Sequence, residues 1–208
     1  MTKPDVIIPW NGKADRKQAY EMTKHYWEAL GYNVITGYSR KKPWSKGLAC
    51  DKGVKKSHSR VIIICDADIV CQPELVEKAI SMVEQKKVAL VIPFTQLHNL
   101  DQDFRVVRTR QFHGRAGGCC VMLRSTYDAV GGIDPRFLDW GGEDWAFCWA
   151  VETLVGRVCT LEGEAWHYHH PEPAGKRWVG KPPNYELYHR YMIARTSKRR
   201  MQELVEER

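Results

Sequence analysis

Val61-Ile62-Ile63-Ile64-Cys65-Asp66-Ala67-Asp68 is the stretch on which the fold turns. Four β-branched residues in unbroken succession, with none of the polar alternation of a half-wet sheet, predict a strand covered on both faces, the usual setting of a parallel sheet in a layered α/β domain. Upstream, Val6-Ile7-Ile8-Pro9 is a short apolar run ended by Trp10-Asn11-Gly12, a strand and its turn. Between Asp15 and Leu30, apolar residues fall at helical spacing, and Gly31 follows as a stop signal. Asn33–Thr36 reads as a second strand, and residues 45–56 as a helix after the basic turn 38–43. Downstream, Pro73 stands where a helix tolerates proline, opening a helix over 74–85, and Val88–Ile92 is another buried strand. This alternation predicts an α/β fold with a mostly parallel central sheet flanked by helices.

The second half is less regular. It predicts a strand over 119–123, a helix over 144–154, a strand over 158–161 leading to Trp166-His167-Tyr168-His169-His170, and a long loop from Pro171 to Asn184. A single basic helix is expected from Tyr185 to Glu207, carrying Lys198-Arg199-Arg200. The expected organisation is one catalytic domain over 1–184, with residues 185–208 as a C-terminal helix packed on it or extending from it.

Composition narrows the class. The chain has 208 residues, 43% hydrophobic and 27% charged, enough for a sizeable core and too apolar for disorder. No apolar run approaches a membrane span, and the N-terminal segment does not read as a signal peptide, so a cytoplasmic, soluble domain is expected. Seven cysteines, none in a CxxC pair, then read as reduced thiols, with a cysteine-built zinc site as the lesser alternative. The net charge of +7 is compatible with nucleic acid, an anionic surface or a phosphate-bearing small molecule, and decides nothing alone.

In parallel sheets ligands collect beyond the carboxyl ends of the strands, so polar residues just after strands are the candidates. Asp66 and Asp68 follow the strongest strand, and two carboxylates there can hold a hard divalent cation. The plain alternative is a solvated acidic turn. In Trp140-Gly141-Gly142-Glu143-Asp144 the glycines permit close backbone approach to a ligand, and the acids open a helix. Helix-start chemistry explains the acids equally well, but not the Trp-Gly-Gly. His167, His169 and His170 are ordinary loop histidines in isolation. Beside a carboxylate pair they suggest a mixed Asp/His site, a donor set suited to manganese.

Four segments, in order, resemble the catalytic core of GT-A glycosyltransferases, in the branch of the β-1,4-galactosyltransferases, chondroitin polymerases and polypeptide N-acetylgalactosaminyltransferases. They are Ile8-Pro9-Trp10-Asn11; Trp44-Ser45-Lys46 through Asp51-Lys52-Gly53; Cys65 through Ile69; and Gly117-Gly118 through Gly131-Gly132-Ile133-Asp134 to Trp140–Asp144. The histidines complete the pattern, and the likeness spans residues 4–170.

The resemblance implies a GT-A nucleotide-diphospho-sugar transferase fold and a UDP-sugar donor with Mn2+ or Mg2+. By family pattern Asp68 binds the metal with Asp66 beside it, and His167 and His170 match further ligand positions. Pro9, Trp10 and Asn11 line the nucleotide pocket, and Lys46 stands near the diphosphate. Gly117, Gly118, Trp140, Gly141 and Gly142 frame donor sugar and acceptor. Glu143 holds sugar hydroxyls, and Asp144 matches the catalytic base of an inverting transfer, although retaining members carry similar Trp-Gly-Gly-Glu segments. The segment 171–184 falls where relatives carry a loop that orders on donor binding, so Lys176, Arg177, Trp178 and Lys181 are expected to close over the diphosphate.

One departure concerns the base. The strand 33–36 lacks the acidic residue that often contacts it, which leaves uridine specificity open. The expected activity is transfer of a hexose or N-acetylhexosamine to a hydroxyl of a glycan or protein acceptor, with no nucleic-acid partner, in a minimal enzyme of bacterial or phage type. The competing readings are a nucleotidyltransferase-like enzyme, for which Pro9-Trp10-Asn11-Gly12 is a poor phosphate loop, and a basic nucleic-acid-binding module, which needs none of these acids. The basic run Arg105, Arg108, Arg110 and Arg115 reads as solvated surface, or as an approach to an acidic acceptor or the diphosphate.

Overall fold

The computed structural model of the chain describes residues 3–112, 117–139, 141–171 and 183–208. The first strand, β1 (Asp5–Trp10), is followed by a 3-10 turn (Ala14–Arg16) that runs into α1 (Lys17–Ala29), then β2 (Asn33–Tyr38) and α2 (Lys46–Val54). The expected central strand is β3 (Val61–Cys65), and the predicted helix 74–85 is α3 (Pro73–Glu84), with Pro73 in its first turn. With β5 (Leu90–Ile92), β8 (Cys119–Leu123) and β9 (Val158–Thr160), these strands build a six-stranded sheet in the order β2-β1-β3-β8-β5-β9. Five strands run in one direction, and β8 alone is antiparallel to both its neighbours. The sheet is mostly parallel, as the unbroken apolar runs predict. Val6, Ile7, Ile8, Ile62, Ile63, Leu90, Val91, Ile92, Val121 and Met122 have no measurable exposure and form its core.

A second sheet is absent from the sequence reading. β4 (Ile69–Cys71), β6 (Gln96–Leu100), β7 (Val106–Gln111) and β10 (Glu164–His167) assemble in the order β4-β10-β6-β7. Its strands are short or, in β7, almost wholly exposed, so no apolar period announces them. The basic run maps in part onto β7, an edge strand carrying Arg108 and Arg110. The short helix α4 (Arg124–Ala129) also went unpredicted, whereas α5 (Glu143–Leu154) lies where expected.

The C-terminal segment corrects the expectation of one helix. It forms α6 (Asn184–Ala194) and α7 (Lys198–Glu206), separated at Arg195-Thr196-Ser197, and the Ser197 hydroxyl accepts from the Arg200 N–H as the cap of a new helix. Side-chain-to-backbone bonding by serine competes with helix continuation, which is why a break falls there. The predicted loop 171–184 lies almost entirely outside the described residues.

Two packing features fix the parts that reach the candidate site. Gly37 lets α2 lie directly on β2: a Cβ there would fall 2.0 Å from the Ala49 carbonyl oxygen. The C-terminal helices are tied down by Asp134, whose side chain is 1% exposed. Its carboxylate accepts from the Arg136 guanidinium at 2.8 Å and from the Tyr191 hydroxyl at 2.9 Å, with Arg208 at 3.6 Å. Arg208 also donates to the Gly131 and Gly132 carbonyls, and Asn184 exchanges two hydrogen bonds with the Leu138 backbone.

Candidate active site

The site begins where β3 ends. The Ile69 N–H bonds back to the Asp66 carbonyl, so Asp66–Asp68 form a tight turn from the central sheet into β4. β4 pairs antiparallel with β10, placing His167 opposite Ile69 and so beside Asp68. The Tyr168 N–H donates to the Asp68 carbonyl at 2.8 Å, pinning the two segments together. Asp68, His167 and His170 converge, one ligand atom from each lying within 4.8 Å of the others. His170 Nε2 is 3.1 Å from Asp68 Oδ2 and His167 Nε2 is 3.6 Å from Asp68 Oδ1. One carboxylate and two imidazoles are a donor set that a divalent transition ion accepts readily, so these residues fit a metal. Asn99 Nδ2 stands 3.5 Å from His167 Nδ1, on the side of the ring away from the Nε2 that faces Asp68.

A second cluster adjoins it. Lys46, at the start of α2 and 7% exposed, reaches Asp66 Oδ1 at 2.7 Å and Asp144 Oδ1 at 2.8 Å. Asp144 and Glu143 open α5, whose cap Gly142 has a φ of +91°, and the Gly141 N–H donates to Glu143 Oε2 at 3.0 Å. Gly117 leaves room for the Asp144 carboxylate: a Cβ there would lie 1.8 Å from Asp144 Oδ2. Lys46, Asp66, Gly117, Gly118, Asp144 and Phe147 line one small recess.

The sequence model of the family described as glycosyl transferase family 2 matches residues 11–132, more than half of the chain. This protein belongs to glycosyl transferase family 2. A second model, described as the N-terminal domain of galactosyltransferase, matches residues 105–172 of this family 2 glycosyltransferase. No curated protein matches it by sequence.

Its fold is similar to that of solved GT-A glycosyltransferases. One is GalNAc-T7, solved with UDP, GalNAc and Mn2+, at a TM-score of 0.61 and 15% identity, covering 93% of this chain. This glycosyltransferase spans only 42% of that chain. Another is a mutant Drosophila β1,4-galactosyltransferase 7 in complex with manganese, UDP-Gal and xylobiose, with a TM-score of 0.64 at 13% identity, covering 89% of this chain and 78% of that one. The catalytic domain of the Drosophila enzyme with xylobiose gives 0.62 at 13%, covering 91% and 80%. At such identities the likeness establishes the fold.

The structure of this family 2 member sorts the expected site residues into groups. Asp68, His167 and His170 come together, whereas Asp66 turns to Lys46 instead of joining them. Lys46 in turn is engaged by two carboxylates. Pro9, Trp10 and Asn11 stand at the carboxyl end of β1, on the same edge as the Asp66–Asp68 turn because β1 and β3 are parallel neighbours. Trp10 stacks on Tyr20 with ring centroids 4.5 Å apart, and Asn11 Oδ1 accepts from the Lys13 N–H. Gly118 accepts the Asp66 N–H on its carbonyl, a backbone role. Trp140 lies outside the described residues, as do Lys176, Arg177, Trp178 and Lys181. The sequence reading missed Asn99 and Arg16, whose Nη1 lies 3.6 Å from Asp68 Oδ2. Arg16 left one unused signal, its place on the turn just after the first strand.

Charge in the two clusters is finely divided. Burial pushes the Asp66 carboxyl up to about 6; Lys46 opposes the shift, and the charges of Asp144 and Asp68 add to it. Burial, with the Asp144 charge beside it, raises Glu143 to about 7, so this carboxyl exchanges its proton near neutrality. Burial alone would discharge Lys46, but Asp144, Asp66 and Glu143 hold it charged well above the ordinary lysine range. Burial also works against the Asp68 anion, yet the His170 hydrogen bond and the charges of His167, His170 and Arg16 keep its carboxyl below the usual value. Burial lowers His167 and favours the neutral ring that a metal needs.

Proposed function

We propose that this glycosyltransferase moves a hexose or N-acetylhexosamine from a UDP-sugar to a hydroxyl of a glycan or protein acceptor, with inversion and with a divalent ion, Mn2+ or Mg2+, as cofactor. The observation that carries this reading is the convergence of Asp68, His167 and His170 at the carboxyl end of β3, next to an Asp144 whose Oδ1 is paired with Lys46 at 2.8 Å. The relatives solved with UDP or UDP-Gal and manganese support the donor class and the metal.

Asp68, His167 and His170 are the residues that would hold the ion, with Asp66 facing the ribose or sugar. The ion supplies charge neutralisation to the departing nucleoside diphosphate, so no proton donor is needed on that side. Asp144 supplies the base. Its Oδ1 is fixed by Lys46, while its Oδ2 packs against Gly117, in the place a Cβ would fill. Asp144 takes the acceptor hydroxyl proton as the acceptor oxygen bonds to the anomeric carbon and the bond to the diphosphate breaks. Glu143, its carboxyl pushed up to about 7 by burial and the neighbouring Asp144 charge, can donate to sugar hydroxyls in its protonated form and accept from them in its ionised form. Pro9, Trp10 and Asn11 border the nucleotide, Gly118, Gly141 and Gly142 let the backbone approach the sugar, and Trp140 is assigned to the frame of the donor sugar and acceptor by family resemblance alone. The catalytic unit is assigned to residues 1–184, with the C-terminal helices bracing it.

The test is hydrolysis and binding of UDP-, GDP- and dTDP-sugars, with manganese and with chelator, on the wild type, Asp68→Ala and Asp144→Asn. The expected result is manganese-dependent turnover of one donor, lost in Asp68→Ala. Asp144→Asn is expected to keep donor binding while transfer falls by about 10²–10⁴-fold, the usual share of a general base. If no nucleotide sugar binds under any metal condition, the reading fails.

A further inference from the structure

Arg16 has no part in the assignments above, yet it is a side chain in direct ion-pair contact with the proposed metal cluster. It ends the 3-10 turn after β1 and is the residue from which α1 starts, at φ −110° and ψ −1°. Its guanidinium, 26% exposed, approaches Asp68 Oδ2, the same oxygen that faces His170. The position is electrostatically unfavourable by itself. α1 has no acid in its first turn, and the positive end of a helix repels a cation. Asp68 is the acidic side chain in contact with Arg16 among the described residues.

We propose that Arg16 is a positioning residue that makes binding of the metal and of the nucleotide diphosphate cooperative. This rests on the metal and donor reading given above. Before either ligand arrives, Arg16 is the counter-charge of Asp68 and competes with a divalent ion for the same carboxylate. A metal and a guanidinium on one carboxylate repel each other, and an arriving diphosphate relieves that repulsion because its oxygens can accept from the planar guanidinium fork. Arg16 therefore penalises the metal-only state and favours the state holding both. By linkage, the metal must tighten the nucleotide by the factor with which the nucleotide tightens the metal.

The test is calorimetric titration with Mn2+ alone, UDP alone, and each in the presence of the other, on the wild type, Arg16→Gln, Arg16→Met and Arg16→Lys. In the wild type, UDP is expected to tighten Mn2+ binding. Both neutral variants are expected to bind Mn2+ alone more tightly and to lose about tenfold of the coupling. Arg16→Lys, which keeps the charge, is expected to retain most of the coupling. Neutral variants with unchanged Mn2+ affinity and unchanged coupling overturn the proposal. So does weaker binding of Mn2+ alone, which would make Arg16 a mere support for Asp68. A wild type that binds neither Mn2+ nor UDP removes the parent reading of the site as well, and is told apart because it needs no variant to be seen.

Discussion

Asp134→Asn tests how the C-terminal helices are held to the rest of the fold. The substitution keeps the shape and removes the charge that Arg136 and Arg208 share. Breaking a buried ion pair by removing one partner costs about 3–5 kcal/mol. Here the cost is reduced, because Arg136 is 29% exposed and retains Glu207 at 3.0 Å and the Leu204 carbonyl. Arg208 is less forgiving, with its side chain 9% exposed. We therefore expect a loss of about 2–3 kcal/mol at pH 7, which for a chain of this size lowers the melting temperature by about 4–12 °C.

The pH dependence has a definite sign. Burial opposes the Asp134 anion, but the hydrogen bonds and charges of Arg136 and Arg208 outweigh it and hold the carboxyl below its ordinary 3.8. A depressed acid contributes stability that is present above its unfolded pKa and is lost as pH falls through the folded one. Urea unfolding of wild type and Asp134→Asn should show a constant gap between pH 7 and pH 5 that narrows below about pH 4. A loss under about 1 kcal/mol, or a gap that persists undiminished in acid, would refute the assignment of Asp134 as the anchor.

Two further outcomes follow from the site. Glu143, raised to about 7, favours folding in its protonated form; that contribution is complete below its unfolded value of about 4.5 and is lost as pH rises through 7. Stability curves from pH 5 to pH 8 should therefore move in favour of Glu143→Gln relative to the wild type, and a stability difference that stays constant across that range would show that Glu143 is not strained by burial. Gly37→Ala should cost about 1–3 kcal/mol or more and reduce turnover, because the methyl group collides with the Ala49 carbonyl and drives α2, with Lys46, off the sheet. Retained stability and activity in that variant would mean that α2 moves freely.

How much of this was legible in the sequence depended on burial. β3 and β8 were read to the residue, since each is an apolar run flanked by polar turns. The second sheet was invisible: Ile69–Cys71 is too short to show a period, and Val106–Gln111 has its side chains mostly in water, so neither carries an apolar signature. Asp68, His167 and His170 could be nominated by type and by position after strands, but their meeting depends on the β4–β10 pairing, which pattern alone does not reveal. Lys46 was placed near the diphosphate by resemblance. That it clamps Asp66 to Asp144 is a three-body contact between residues far apart in the chain. The break between α6 and α7 was signalled by Ser197 at a helix start, a cue that the apolar spacing on either side concealed.

The Lys46 clamp also bears on engineering. The loop and helix start bearing Asp144 form a natural cassette to exchange when a new acceptor is wanted, yet Asp144 shares a single cation, Lys46 from α2, with the carboxylate of Asp66 on the β3 turn. A graft that brings its own acid without a matching cation at position 46 inherits two facing carboxylates and a misplaced proton. Positions 46, 66 and 144 therefore have to be exchanged as a set.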